Sequence, residues 1–177
     1  MQGAPRPAAD AGPLDGCHTH LPYQSETPMA TWQCDFEVVP SQSPTPTSDD
    51  PWLQFPPAPA WEEWITAVLD PGPTWHRDLR GWGPQDGNRI EAWLDAGRLA
   101  SLRTRLDLRD PDLQTFVLRL VSLLGRLDAV LETHYGTRLP TSLRALTEAI
   151  EGSPAFRFVK DPDAFLRRLR VAGPDDM

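Results

Sequence analysis

The residues of this chain that could do chemistry cluster between Asp78 and Arg109: the carboxylates Asp78, Asp86, Glu91 and Asp107, interleaved with Arg89, Arg103, Arg105 and Arg109. A carboxylate can take a proton while a guanidinium fork holds a phosphoryl or acyl oxygen as its negative charge grows. Asp78, Asp86, Glu91 and Arg103 are the set a small hydrolase acting on a phosphorylated or nucleotide substrate would use. Charges alternating along a solvated strand look the same, however, and no serine or cysteine lies beside a histidine in a spacing that defines a nucleophile. Hydrolysis is therefore the alternative reading, and no catalytic residue is assigned.

Metal-ligating residue types occur in two places, His76 with Asp78, Asp86 and Glu91, and the run Cys17-His18-Thr19-His20. Zinc needs three or four ligands with further groups behind them to orient them. Neither group has that spacing, and no metal or other cofactor is expected. The glycines within GWGPQDGNRIEAWLDAG, Gly81 to Gly97, precede a strand pattern, whereas phosphate-cradling glycine loops open a helix. Asp86, Asn88 and Glu91 also lack the spacing and central glycine of a calcium loop.

Seven tryptophans, at positions 32, 52, 61, 64, 75, 82 and 93, all precede the longest helical stripe. Most read as core and loop packing. Tryptophan and arginine are also the residues in which interfaces concentrate binding energy. A face carrying Trp75, Trp82, Arg89, Glu91, Trp93, Arg103 and Arg105 is the binding surface this sequence offers.

A sheet has to position that face. TWQCDFEVV, residues 31–39, puts Trp32, Cys34, Phe36 and Val38 on one side by alternation and predicts a strand ended by Pro40. RIEAWLD and LASLRTRLDLR alternate likewise and predict antiparallel strands over 89–95 and 98–109; a weaker strand is expected over 75–82. A three-residue loop, Asp95-Ala96-Gly97, keeps the apolar faces together by pairing Leu94 with Arg98, Ala92 with Ala100 and Ile90 with Leu102. It sets Arg89 opposite Arg103 and Glu91 opposite Ser101.

Asp110-Pro111-Asp112 carries helix start signals, and the apolar stripe from Leu113 through Leu131 to Tyr135 predicts one long helix over 111–135, closed by Gly136. A short helix is expected over 61–69 and two shorter ones after Pro140 and Pro162, the last anchored by Phe165, Leu166 and Leu169. Phe156 to Val159 reads as an apolar connector or brief strand. The fold class is α+β: a small antiparallel sheet packed on one face by the long helix and the two shorter C-terminal helices.

Of the 20 prolines, twelve fall in the first 60 residues. Residues 1–28 read as a disordered arm or an over-long start. Residues 29–172 read as a single domain with a proline-rich loop over 40–59 pinned by Trp52, Leu53 and Phe55, and residues 173–177 as a polar tail. The formal net charge of −8 argues against a nucleic-acid partner and is compatible with a basic protein partner. No stretch approaches the roughly 18 consecutive apolar residues of a membrane span. The expectation is an acidic cytoplasmic protein that binds another protein as an inhibitor, immunity-like protein or adaptor, with its oligomeric state open.

Overall fold

The computed structural model describes residues 31–45 and 50–163. Its elements run β1 (Gln33–Pro40), α1 (Pro51–Gln54), α2 (Trp61–Thr66), β2 (Leu79–Trp82), β3 (Arg89–Asp95), β4 (Arg98–Asp107), α3 (Leu113–Leu127), β5 (Ala129–Glu132), β6 (Arg138–Leu139), α4 (Leu143–Gly152) and α5 (Pro154–Lys160). The six strands form one sheet in the order β2-β3-β4-β1-β5-β6, with every pairing antiparallel. This is the predicted α+β class. The N-terminal arm with Cys17, His18 and His20, residues 46–49 of the proline-rich loop, the helix anchored by Phe165 to Leu169 and the polar tail lie outside the described residues.

Alternation decides which way each strand faces. Phe36 and Val38 of β1, Ile90 and Ala92 of β3, and Leu102 and Leu106 of β4 join one buried cluster with Phe116, Leu120 and Leu124 of α3 and Leu146 of α4. The apolar positions of α3 recur at three- and four-residue spacing, so one stripe meets the sheet. Each such leucine or phenylalanine contributes about 1.5–3 kcal/mol by leaving water. Trp52 belongs to the same core and donates its indole N–H to the Val38 carbonyl at 2.8 Å, pinning the proline-rich segment as expected. That segment also contains the short helix α1, which its prolines and short length concealed.

Asn88 ends the glycine-containing loop that leads into β3. It is buried, accepts the Asp107 backbone N–H at 2.9 Å and donates to the Asp110 carboxylate at 2.6 Å. The entry to β3 is thereby tied to the exit of β4.

The long helix predicted over 111–135 is a correction. Helix α3 ends at Leu127; Asp128 takes a left-handed conformation with φ 50°, and Ala129–Glu132 forms a strand beside β1. The Asp128 carboxylate accepts from the Ser41 hydroxyl at 2.7 Å and the Gln42 amide at 3.0 Å, so the end of β1 holds the turn. Ala129 and Leu131 are buried strand positions, and Leu131 continues the helical stripe from Leu127 only by coincidence of spacing. Strand pairing overrides the local pattern. Tyr135 is accordingly 92% exposed near a hairpin turn, and Gly136 with φ 74° belongs to that turn rather than to a helix end. Phe156 and Val159 similarly lie in helix α5, started by Ser153 and Pro154, rather than in a connector or strand.

The β3–β4 register is a second correction. Asp95 pairs with Arg98, leaving a two-residue turn of Ala96 and Gly97 with φ 48° and 79°. Two successive positive φ values give the turn whose twist matches that of the strands. Such a turn alone would mix polar and apolar faces. The register shift between Trp93 and Leu94 leaves Ala100 as the extra residue on β4, a bulge that restores the alternation. Ala92 consequently faces Leu102, Glu91 faces Arg103 and Arg89 faces Arg105, each two residues along β4 from the expected partner, so the same faces stay together.

Candidate binding site

The face of the sheet away from the core carries its charges in registered rungs. Asp35, Arg105 and Arg89 lie side by side across β1, β4 and β3; Glu37, Arg103 and Glu91 form the next rung, which Gly81 of β2 continues. Arg105 donates to Asp35 at 3.0 Å, and Arg103 to Glu37 at 2.8 Å. Opposite charges facing across strands stabilise such pairs by roughly 0.2–1 kcal/mol each. Burial disfavours the charge on Arg103, but the charge and hydrogen bond of Glu37, with Asp35 and Glu91 nearby, hold its pKa above the ordinary arginine value.

Arg89 has a different task. Its side chain is 3% exposed, and its guanidinium donates to Glu91 at 2.6 Å, to the Gly83 carbonyl at 2.9 Å and to the Pro73 carbonyl at 2.6 Å. The guanidinium crosses Gly81, where an added Cβ would stand 2.5 Å from the Arg89 Nη2. Glycine is required there by close approach rather than by backbone conformation. Backbone bonds from Gly72 to the Gly81 carbonyl and from Gly83 to the Asp70 carbonyl, both 2.8 Å, lay residues 70–73 along the outer edge of β2. Arg89 and these bonds together hold the segment that carries Trp75 over the polar face.

The resulting pocket has a volume of about 200 Å³. Its charged lining comes from Arg89, Glu91, Arg103 and Arg105; Ser101 and Gln85 add neutral polar groups, and Pro73, Thr74, Trp75 and Trp93 complete it. Trp75 and Trp93 meet edge to face with ring centres 5.5 Å apart, and His76 packs against both at 5.7 and 5.4 Å. Trp75 is nevertheless 63% exposed. Arg105 uses only its Nε toward Asp35, and Arg103 uses Nε and Nη2 toward Glu37. Both Nη groups of Arg105 and Nη1 of Arg103 thus have no protein acceptor among the described residues. Guanidinium N–H groups are obligate donors that a ligand can engage in pairs.

The structure brings together Trp75, Arg89, Glu91, Trp93, Arg103 and Arg105 from the predicted binding surface. Trp82 is a correction: it is buried on the core face, 6.0 Å from Trp61 in an edge-on contact, with its N–H on the Thr66 hydroxyl at 3.0 Å. The weak alternation of residues 75–82 gave no parity from which to orient it. Asp78 lies just before β2 beside Arg77, and Asp86 lies in the loop before β3 near Arg109; neither lines the pocket. The carboxylate set of the hydrolase reading is therefore not assembled around Glu91. Among the described residues, no three His, Cys, Asp or Glu side chains are placed to hold a metal ion.

Sequence reasoning passed over Asp35, Glu37, Ser101 and Gln85. Asp35 and Glu37 alternate with the core residues of β1, so their face was readable. Their arginine partners were not, because β1 and β4 are joined only by tertiary pairing. Comparison with known proteins adds no relative: no family model, no curated protein and no solved structure matches the chain.

Proposed function

We propose that the chain is a small cytosolic protein-binding module whose recognition surface is the polar sheet face around Trp75, Trp93, Arg103 and Arg105. One observation carries this reading: a largely exposed tryptophan is propped beside a second one, next to both Nη groups of Arg105 and Nη1 of Arg103, which have no acceptor among the described residues. Rigid aromatic rings and arginines are the usual anchors of protein interfaces. The pocket's volume of about 200 Å³ is below the roughly 300–1,000 Å³ of pockets that enclose whole small molecules. That size suits one or two side chains of a larger partner.

The hydrolase alternative has less support. Glu91 is committed to Arg89 at 2.6 Å, and Asp78 and Asp86 do not join it.

Affinity capture from the native host, with the full chain and its Trp75→Ala variant run side by side, tests the proposal. A partner held in stoichiometric amount by the parent chain and lost with the variant is the expected result. Equal capture by both chains, or capture by neither, rejects this face as a protein-binding surface.

A further inference from the structure

Arg89, Arg103 and Arg105 face Glu91, Glu37 and Asp35 on the same sheet surface, so the formal charges of the rungs cancel. What is left over is donor geometry. Arg105, with 23% of its side chain exposed, lines the pocket with two Nη groups that have no acceptor among the described residues, and Arg103 adds its Nη1 beside it. A planar acceptor with two oxygens can take parallel N–H bonds from one guanidinium edge. A dianionic phosphate would bring more negative charge than the compensated face can balance, with Glu91 and Glu37 close by. A cationic group would meet a donor-rich wall whose nearest carboxylate, Glu91, is already bonded to Arg89. Trp75 and Trp93 form an apolar wall at the same pocket.

We infer that the pocket anchors an Asp or Glu side chain of the partner protein, gripped by Arg105 and Arg103, with an adjoining aromatic or aliphatic side chain laid against Trp75 and Trp93. This rests on the protein-binding reading of that face and sharpens it. Local guanidinium geometry sets the sign of the anchor, opposite to the basic partner that the chain's negative net charge would attract at long range.

Random peptides displayed on phage and selected on the full chain test the inference. Selected peptides are expected to carry Asp or Glu next to a large apolar residue. Changing that Glu to Gln in the peptide, or Arg105→Lys in the protein, is expected to weaken binding roughly tenfold or more, the loss of a charge-assisted pair. Arg105→Lys keeps a positive charge opposite Asp35, and circular dichroism checks that it folds.

Peptides that depend on Trp75 but lack an acid, or lose nothing on Glu→Gln, overturn the carboxylate anchor and leave the protein-binding face standing. Tighter binding of a phosphoserine version than of the Glu peptide also overturns the anchor. No enrichment at all, or enrichment indifferent to Trp75→Ala, overturns the anchor and the face together.

Discussion

Arg89 reaches along its own strand to Glu91, Nε to Oε1 at 2.6 Å, although Arg103 lies directly across from Glu91 on β4. That choice leaves Arg103 to Glu37 and lets the rest of the Arg89 guanidinium hold the Gly83 and Pro73 carbonyls. Replacing Arg89 with alanine leaves two carbonyls and a partly buried carboxylate without their donor, and is expected to cost about 3 kcal/mol. Lysine retains the charge but cannot serve three divergent acceptors, and should cost about 1–2 kcal/mol. Urea unfolding at constant slope measures both. An alanine variant as stable as the parent would mean that Arg89 does not brace this segment.

Gly81 does not line the pocket, yet its substitution should disturb it. An alanine Cβ would stand 2.5 Å from the Arg89 Nη2 and 3.2 Å from the Thr74 side chain. The guanidinium then has to leave the Pro73 carbonyl. A loss of about 1–3 kcal/mol is expected from such overpacking, together with weaker peptide binding. Thermal unfolding and peptide titration of Gly81→Ala report the two effects. Unchanged values in both would show that the approach relaxes without consequence.

Asp128 both ends α3 and ties it to β1. Asn tolerates the left-handed conformation and can still accept a hydrogen bond, so Asp128→Asn should be mild. Asp128→Ala loses both side-chain bonds in a conformation unfavourable by about 1–2 kcal/mol for ordinary side chains, and should be the less stable of the pair. Chemical denaturation of the two variants gives the order, and the reverse order would refute this role.

Acid should destabilise the fold through identified carboxylates. Burial opposes ionisation of Asp107, but the Arg109 side chain, its backbone N–H and its charge outweigh burial and hold the Asp107 pKa below the usual value. The Ser41 hydroxyl and Gln42 amide do the same for Asp128. A folded-state pKa below the unfolded one gives stabilisation that is complete above the unfolded-state value. It is lost as pH falls through the folded-state value. Stability should therefore be level above the ordinary carboxylate range and decline below it. Asp107→Asn should be less stable than the parent at neutral pH and converge on it in acid. Denaturation at a series of pH values measures the gap; a gap that widens in acid would contradict this assignment.

The sequence by itself determined what depends on neighbours along the chain. Alternation in β1 and β3 separated Phe36, Ile90 and Ala92 from the charges between them, and the stripe from Phe116 to Leu127 marked a helix, because side-chain period follows from local backbone geometry. The three-dimensional arrangement decided the rest. Local pattern could not separate a helix continuing through Leu131 from a strand that needs β1 beside it, nor anticipate the bulge at Ala100 that moved Glu91 opposite Arg103. The site depends on this most of all. Asp35 meets Arg105 and Glu37 meets Arg103 across 70 and 66 residues of chain. They do so only because the first strand inserts between β4 and β5, and strand order is set by how the whole apolar face is buried rather than by any local run of residues.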